Sequence, residues 1–144
     1  MDTAKLSFDI ETSNAECPMG VEIWLDDAML LSNNHVQGKI TFIHDISDDV
    51  DERKLRIVIF GKPSDYTQVD DAGNIIKDAT LQISNVAIDD LDVNQLFLEK
   101  CVYTHDFNGT GATTQAKFYG EMGCNGTVSL KFATPMYLWL LEHM

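Results

Sequence analysis

The sequence predicts an all-β fold: a two-sheet antiparallel β-sandwich, jelly-roll-like, with at most one or two short helices. Three observations carry that expectation. Apolar residues recur with a period of two along much of the chain, Asn/Asp/Gly turn chemistry separates the alternating runs, and helical spacing is confined to brief segments. The 144 residues, 44% of them hydrophobic, suit one domain spanning residues 1–144. A chain of this size buries roughly 68–70% of its unfolded surface, enough for one core without staples. No internal repeat, low-complexity tract or linker divides it.

Each predicted element follows from its pattern. Leu6, Phe8 and Ile10 alternate with Ser7, Asp9 and Glu11, and Val21, Ile23 and Leu25 alternate with Glu22, Trp24 and Asp26. Successive side chains of a strand point to opposite faces, so each run offers one face to a core. Leu55, Ile57 and Ile59 alternate with Arg56, Val58 and Phe60, which predicts a strand covered on both faces. Asp70-Asp71-Ala72-Gly73-Asn74 reads as a hairpin turn with Gly73 at positive φ. Leu81, Ile83 and Val86 form the next strand. Asp90–Lys100 predicts a short helix, with Asp89 or Asp90 as N-cap and Leu91, Leu96 and Phe97 on its apolar face. Asn108-Gly109 and Asn125-Gly126 are two-residue hairpin signals, the second just before the alternating run Val128, Leu130, Phe132. For residues 135–144, strand and helix remain open, since a short apolar run has no diagnostic period.

Charge and cysteine usage bound the function. With 23 Asp+Glu against 10 Lys+Arg, the net charge of −13 repels phosphate backbones and anionic membranes, and no Lys/Arg cluster in the sequence counters it locally. Nucleic acid is therefore not an expected partner, nor is membrane insertion: the apolar run Met136–Leu141 is far short of the about 20 residues a spanning helix needs. Residues 1–14 lack the apolar core of a signal peptide, so synthesis and folding in the cytoplasm are expected. Cys17, Cys101 and Cys124 are an odd set without paired spacing, expected as reduced, buried side chains.

Candidate chemistry is sparse. Phe8-Asp9-Ile10-Glu11-Thr12 looks like the first metal-binding motif of proofreading exonucleases, which needs further carboxylates on an α/β sheet. Tyr103 to Asp106 is one residue too short for that family's third motif, and an edge strand with polar residues facing water explains Asp9 and Glu11 better. His35, His44, His105 and His143 form no zinc pattern, and no serine sits in a nucleophile elbow, so no enzyme is expected. Acidic pairs recur at turns, and Asp26, Asp27, Asp70, Asp71, Asp89 and Asp90 are the candidate calcium ligands. Calcium takes six to eight oxygens, which irregular loops supply, although none of these pairs follows the spaced EF-hand pattern. It is the one cofactor the sequence leaves open. For glycan binding, sugar rings stack on exposed aromatics, and the candidates are Trp24, Tyr66 and Tyr103; Trp139, inside an apolar run, is expected in the core.

Two resemblances add to this reading. The segments Val21–Asp27, Lys54–Lys62 and Asp78–Asp89 are similar, over about half the chain, to the jelly-roll carbohydrate-binding modules of the calcium-dependent, xylan-binding type. The chain departs from that pattern in an insertion at Ser64–Lys77 and in the tail after Leu98. The stretch Tyr103–Gly109 and the ending Gly123–Glu142 resemble small proteins encoded by large tailed phages of marine bacteria. Together they imply a non-catalytic binding or structural module, foremost a virion component such as a decoration, fibre or tail-associated protein. Its partners would be protein subunits of the virion, copies of itself in an oligomer, or host glycan. A calcium-dependent carbohydrate-binding module and an intracellular phage regulator that binds a host protein are the alternatives.

Overall fold

The computed structural model describes residues 3–47, 51–63, 68–105, 114–118, 120–123, 125–134 and 136–143. In chain order the elements are β1 (Thr3–Thr12), β2 (Gly20–Leu25), β3 (Ala28–Asn33), β4 (Lys39–Ser47), β5 (Glu52–Phe60), β6 (Gln68–Val69), β7 (Ile75–Lys77), β8 (Leu81–Ile88) and β9 (Leu91–Asp92). Helix α1 (Asn94–Lys100) follows, then β10 (Val102–His105), β11 (Thr114–Lys117), β12 (Glu121–Met122), β13 (Gly126–Ala133) and helix α2 (Met136–His143). Two antiparallel sheets face one another, as the alternation predicts. One has the order β12-β8-β1-β4 with β9 added to β8, the other β11-β10-β13-β5-β2-β3, and β6-β7 is a separate hairpin.

The core lies between the sheets and is built by the alternating residues. Leu6, Phe8 and Ile10 from β1, with Leu81, Ile83, Val86 and Ile88 from β8, meet Val21, Ile23 and Leu25 from β2, Leu55, Ile57 and Ile59 from β5, and Val128, Leu130 and Phe132 from β13. In β8 the period of two breaks once. The register against β1 shifts between Ser7 and Asp9, where Asn85 takes φ 56°, and this bulge returns Val86 and Ile88 to the core. A second register shift, between Ile23 and Trp24, makes Leu30 the extra residue of β3 and leaves Leu30 and Leu31 both partly buried against the core.

Four expectations need correction. The helix begins at Asn94, not at Asp90, because Asp89 and Asp90 have φ 48° and 68° and make the left-handed turn that joins β8 to β9. Leu91 is consequently exposed in β9, and Phe97 is the buried residue of the helix. Strand β5 is not covered on both faces: Arg56, Val58 and Phe60 are half-buried on an outward face over which no second layer lies among the described residues. Asn125-Gly126 closes no hairpin between its neighbours, since β12 and β13 belong to different sheets. Asn125 instead accepts from the backbone N–H of Lys62 at 3.0 Å and donates to its carbonyl at 2.9 Å, a side chain acting as a short ladder. The Asn108-Gly109 signal lies outside the described residues.

The question left open at the end of the chain is answered by α2, whose Trp139 packs edge-on against Phe132 with centroids 6.2 Å apart, in the core as expected. The turn at Asp70–Asn74 forms as predicted, with Gly73 at φ 86°. Cys17 and Cys101 are buried and neither forms a disulfide; Cys124 lies outside the described residues. Burial pushes the Cys101 thiol up to about 12, so it has no thiolate character near neutral pH.

Candidate functional site

The outward face of the six-stranded sheet gathers the aromatic and basic groups. Alternation in β2 puts Trp24 on the opposite side from Ile23 and Leu25, so it is half-buried on that face. Its indole N–H donates to Glu22 Oε1 at 3.2 Å, and the Arg56 guanidinium carbon sits 5.4 Å from the ring centroid. Such a cation–π contact is worth about 0.5–1 kcal/mol at an exposed site, and it fixes the ring against its neighbouring strand. Register extends the row across the sheet, through Val102, Ser129, Arg56, Trp24 and Met29.

The next row on the same face pairs Lys131 with Lys54 directly. Between these rows and the end of α1 runs a groove of about 480 Å³, lined by Lys54, Lys100, Val102, Thr104, Ser129 and Lys131. It continues past Lys54 and Lys131 into a hollow of about 500 Å³ at the end of the sandwich, where Glu52, Glu142, Trp139 and His143 line the wall. Four of the ten Lys and Arg residues thus share one face of a chain with net charge −13. The sequence shows no such cluster, because its members lie on β5, α1 and β13; the fold assembles it. The other sheet's outward face differs. There Asp9, Glu11 and Asp45 face out, and Lys39 is paired with Asp9 at 3.7 Å while Lys5 reaches Asp90 at 3.6 Å.

The other glycan candidates fare differently. Tyr103 is only 6% exposed, its ring packed in the core with Phe118 6.2 Å and His105 4.7 Å away, so it offers no open face for a sugar. Tyr66 lies outside the described residues.

The acidic pairs occupy three different hairpins, and the first aspartate of each is engaged, Asp70 by its own turn and Asp26 and Asp89 by neighbouring strands. Asp26 accepts from Arg53 Nε at 2.7 Å and from the Lys54 N–H at 2.9 Å. Asp70 accepts from the N–H groups of Ala72 and Asn74 at 2.9 Å each, which holds its carboxyl below the ordinary carboxylate value. Asp89 accepts from the Lys5 N–H at 2.8 Å. Asp27, Asp71 and Asp90 are exposed beside them. Among the described residues no three His, Cys, Asp or Glu side chains come together, so the three acidic pairs do not converge on one site. Asp9 is likewise engaged, by Asn85 at 2.9 Å and Thr41 at 2.8 Å, in an all-β sheet rather than the α/β sheet the exonuclease motif requires; its strand β1 runs between β8 and β4 and is not the edge strand expected.

No protein-family model matches the chain, and no curated protein matches it in sequence. Two solved structures resemble it in fold. One is the selenomethionine form of vCBM60, from work on circular permutation between two families of calcium-dependent carbohydrate-binding modules; it has a TM-score of 0.50 and 9% identity and covers 88% of this chain and 89% of its own. The other is vCBM60 in complex with galactobiose, with a TM-score of 0.48 and 9% identity over 88% of this chain and 96% of its own. At that identity the likeness shows the architecture alone: this chain has a two-sheet β-sandwich fold like that of vCBM60.

Proposed function

We propose that this chain is a non-catalytic glycan-binding module, and that it binds through the outward face of the six-stranded sheet. The observation that carries the reading is Trp24, held on an open sheet face by Glu22 and Arg56 beside a groove lined by Thr104, Ser129 and lysines. An aromatic ring next to hydroxyls and charged donors is the combination that sugar recognition uses, an apolar platform for the ring face and polar groups for its hydroxyls. The module-like fold supports the same class. Calcium, as the first resemblance implies, would have to act elsewhere, because this face presents cations.

The test is affinity electrophoresis of the purified protein through gels containing single soluble polysaccharides, neutral and acidic, each with calcium or with EDTA. Retardation by at least one glycan is expected, lost in Trp24→Ala and retained in EDTA. Retardation abolished by EDTA would move the site to the acidic loops, and retardation by none of the panel would reject the reading.

A second reading, a structural subunit, has its own observation. Leu138 and Leu141 on α2 are 56% and 70% exposed, and Ile43 on the edge strand β4 is 62% exposed. Unpaired edges and apolar side chains suit a subunit contact. On a phage particle, the setting that the second resemblance implies, both readings apply to one component. A solution mass well above 16.1 kDa for the purified chain supports the subunit contact, and a monomer at high concentration removes self-assembly from it.

A further inference from the structure

We infer that the glycan taken by this face is anionic, a uronate or sulfated polysaccharide whose acid groups sit between Lys54 and Lys131 with Lys100 closing the groove. The inference rests on the glycan reading above and names the ligand class. Lys54 and Lys131 are register partners on neighbouring strands, and like charges directly opposite one another destabilise a sheet. The groove itself is lined by three lysines and no carboxylate, and Asp26, Glu52 and Glu142 line only the adjoining hollow. Elsewhere several of the cations whose side chains are described are paired. Arg53 is paired with Asp26, Lys62 with Asp78, Lys39 with Asp9 and Lys5 with Asp90, whereas Lys54, Lys100 and Lys131 are exposed and take part in no ion pair among the described residues. An acid group between Lys54 and Lys131 turns their repulsion into two charge-assisted contacts.

The groove also selects among anions. It lies on a sheet face, with Ser129 and Thr104 in its lining and Trp24 in the neighbouring row through Arg56. A chain that carries both hydroxyl-bearing rings and acid groups meets both features. A protein segment rich in Asp and Glu meets the lysines alone, and a nucleic acid approaches against the net charge of −13.

The experiment compares wild type, Trp24→Ala and the double variant Lys54→Gln/Lys131→Gln by affinity electrophoresis. The gels contain polygalacturonate, a sulfated galactan, neutral galactan, neutral xylan, poly-glutamate or a single-stranded oligonucleotide. Because both lysines are exposed, the double variant is expected to fold, which its melting curve checks. The expected result is retardation by an acidic polysaccharide above that by its neutral counterpart, weakened about tenfold in the double variant and weakened by added salt. Retardation by a neutral glycan that needs Trp24 but ignores the lysine substitutions overturns the anionic ligand and leaves the glycan reading standing. Retardation by poly-glutamate or the oligonucleotide, with no glycan retained, overturns both and assigns the face to that polyanion. Retardation by nothing overturns both outright.

Discussion

A Cβ at Gly126 would run into the carbonyl oxygen of Thr104 and come within 2.9 Å of the His105 Cα, both backbone atoms of the neighbouring strand β10. Backbone cannot swing aside as a side-chain tip can, so Gly126→Ala forces β10 and β13 apart. A loss of about 1–3 kcal/mol is expected, typical of overpacking, read as a melting temperature lower by several degrees. An unchanged melt would mean that the two strands do not approach so closely. Asp9 shows the converse, a residue favoured in one charge state. Hydrogen bonds from Asn85 and Thr41, then the Lys39 charge, hold its carboxyl below the ordinary value of 3.8. A depressed folded-state value means that ionised Asp9 stabilises the fold above pH 3.8 and that this contribution is lost as pH falls through the lower folded value. Asp9→Asn should therefore be less stable than wild type at neutral pH and lose less on acidification. Parallel acid-unfolding curves for the two proteins would contradict this.

Elements were legible where one face is uniformly apolar, and not where an inward position is polar or a bulge shifts the phase. In β4 the inward series is Ile40, Phe42, His44 and Ile46, while Ile43 points outward. His44 stacks on Phe42 at 6.3 Å, so an imidazole fills a position that the alternation reserves for a hydrophobe, and the strand is hidden. In β8 the left-handed Asn85 breaks a pattern that is otherwise regular. The helix start was misplaced because an Asp-Asp pair serves a tight turn as readily as an N-cap. A polar tie between segments of the two sheets is also hidden in the sequence. After β5, Lys62 turns inward with its side chain 1% exposed, and its Nζ donates to Asp78 at 2.7 Å, to the Ala79 carbonyl at 3.0 Å and to the Gly123 carbonyl at 2.6 Å. It ties the segments before β8 and after β12 to the end of β5. Lys62→Ala leaves three acceptors without that donor, and a loss of about 3 kcal/mol is expected by chemical denaturation. A loss below that of an ordinary surface substitution would show that solvent satisfies those acceptors.

At the scale of the whole molecule, the candidate site was half legible. Trp24 stands out because a tryptophan on the solvent phase of an alternating strand is visible in the sequence. The lysines are not, because residues 54, 100 and 131 become neighbours only through the pairing of β5 with β13 and the approach of α1. Net charge averages such a patch away. This division between global and local electrostatics has a consequence that one titration reads in two directions. A chain with net charge −13 repels itself when compact, and salt screens that repulsion, with a Debye length of about 8 Å at physiological ionic strength. Adding sodium chloride should therefore raise the melting temperature of the unliganded protein. The same salt screens the lysine face and should weaken retention on an acidic polysaccharide. Stability and binding would then move in opposite directions over one range of ionic strength. If both fall together, the lost binding reflects unfolding and the basic face plays no part in it. If melting rises while retention stays constant, the ligand is held without its charge, by Trp24 and the hydroxyls alone.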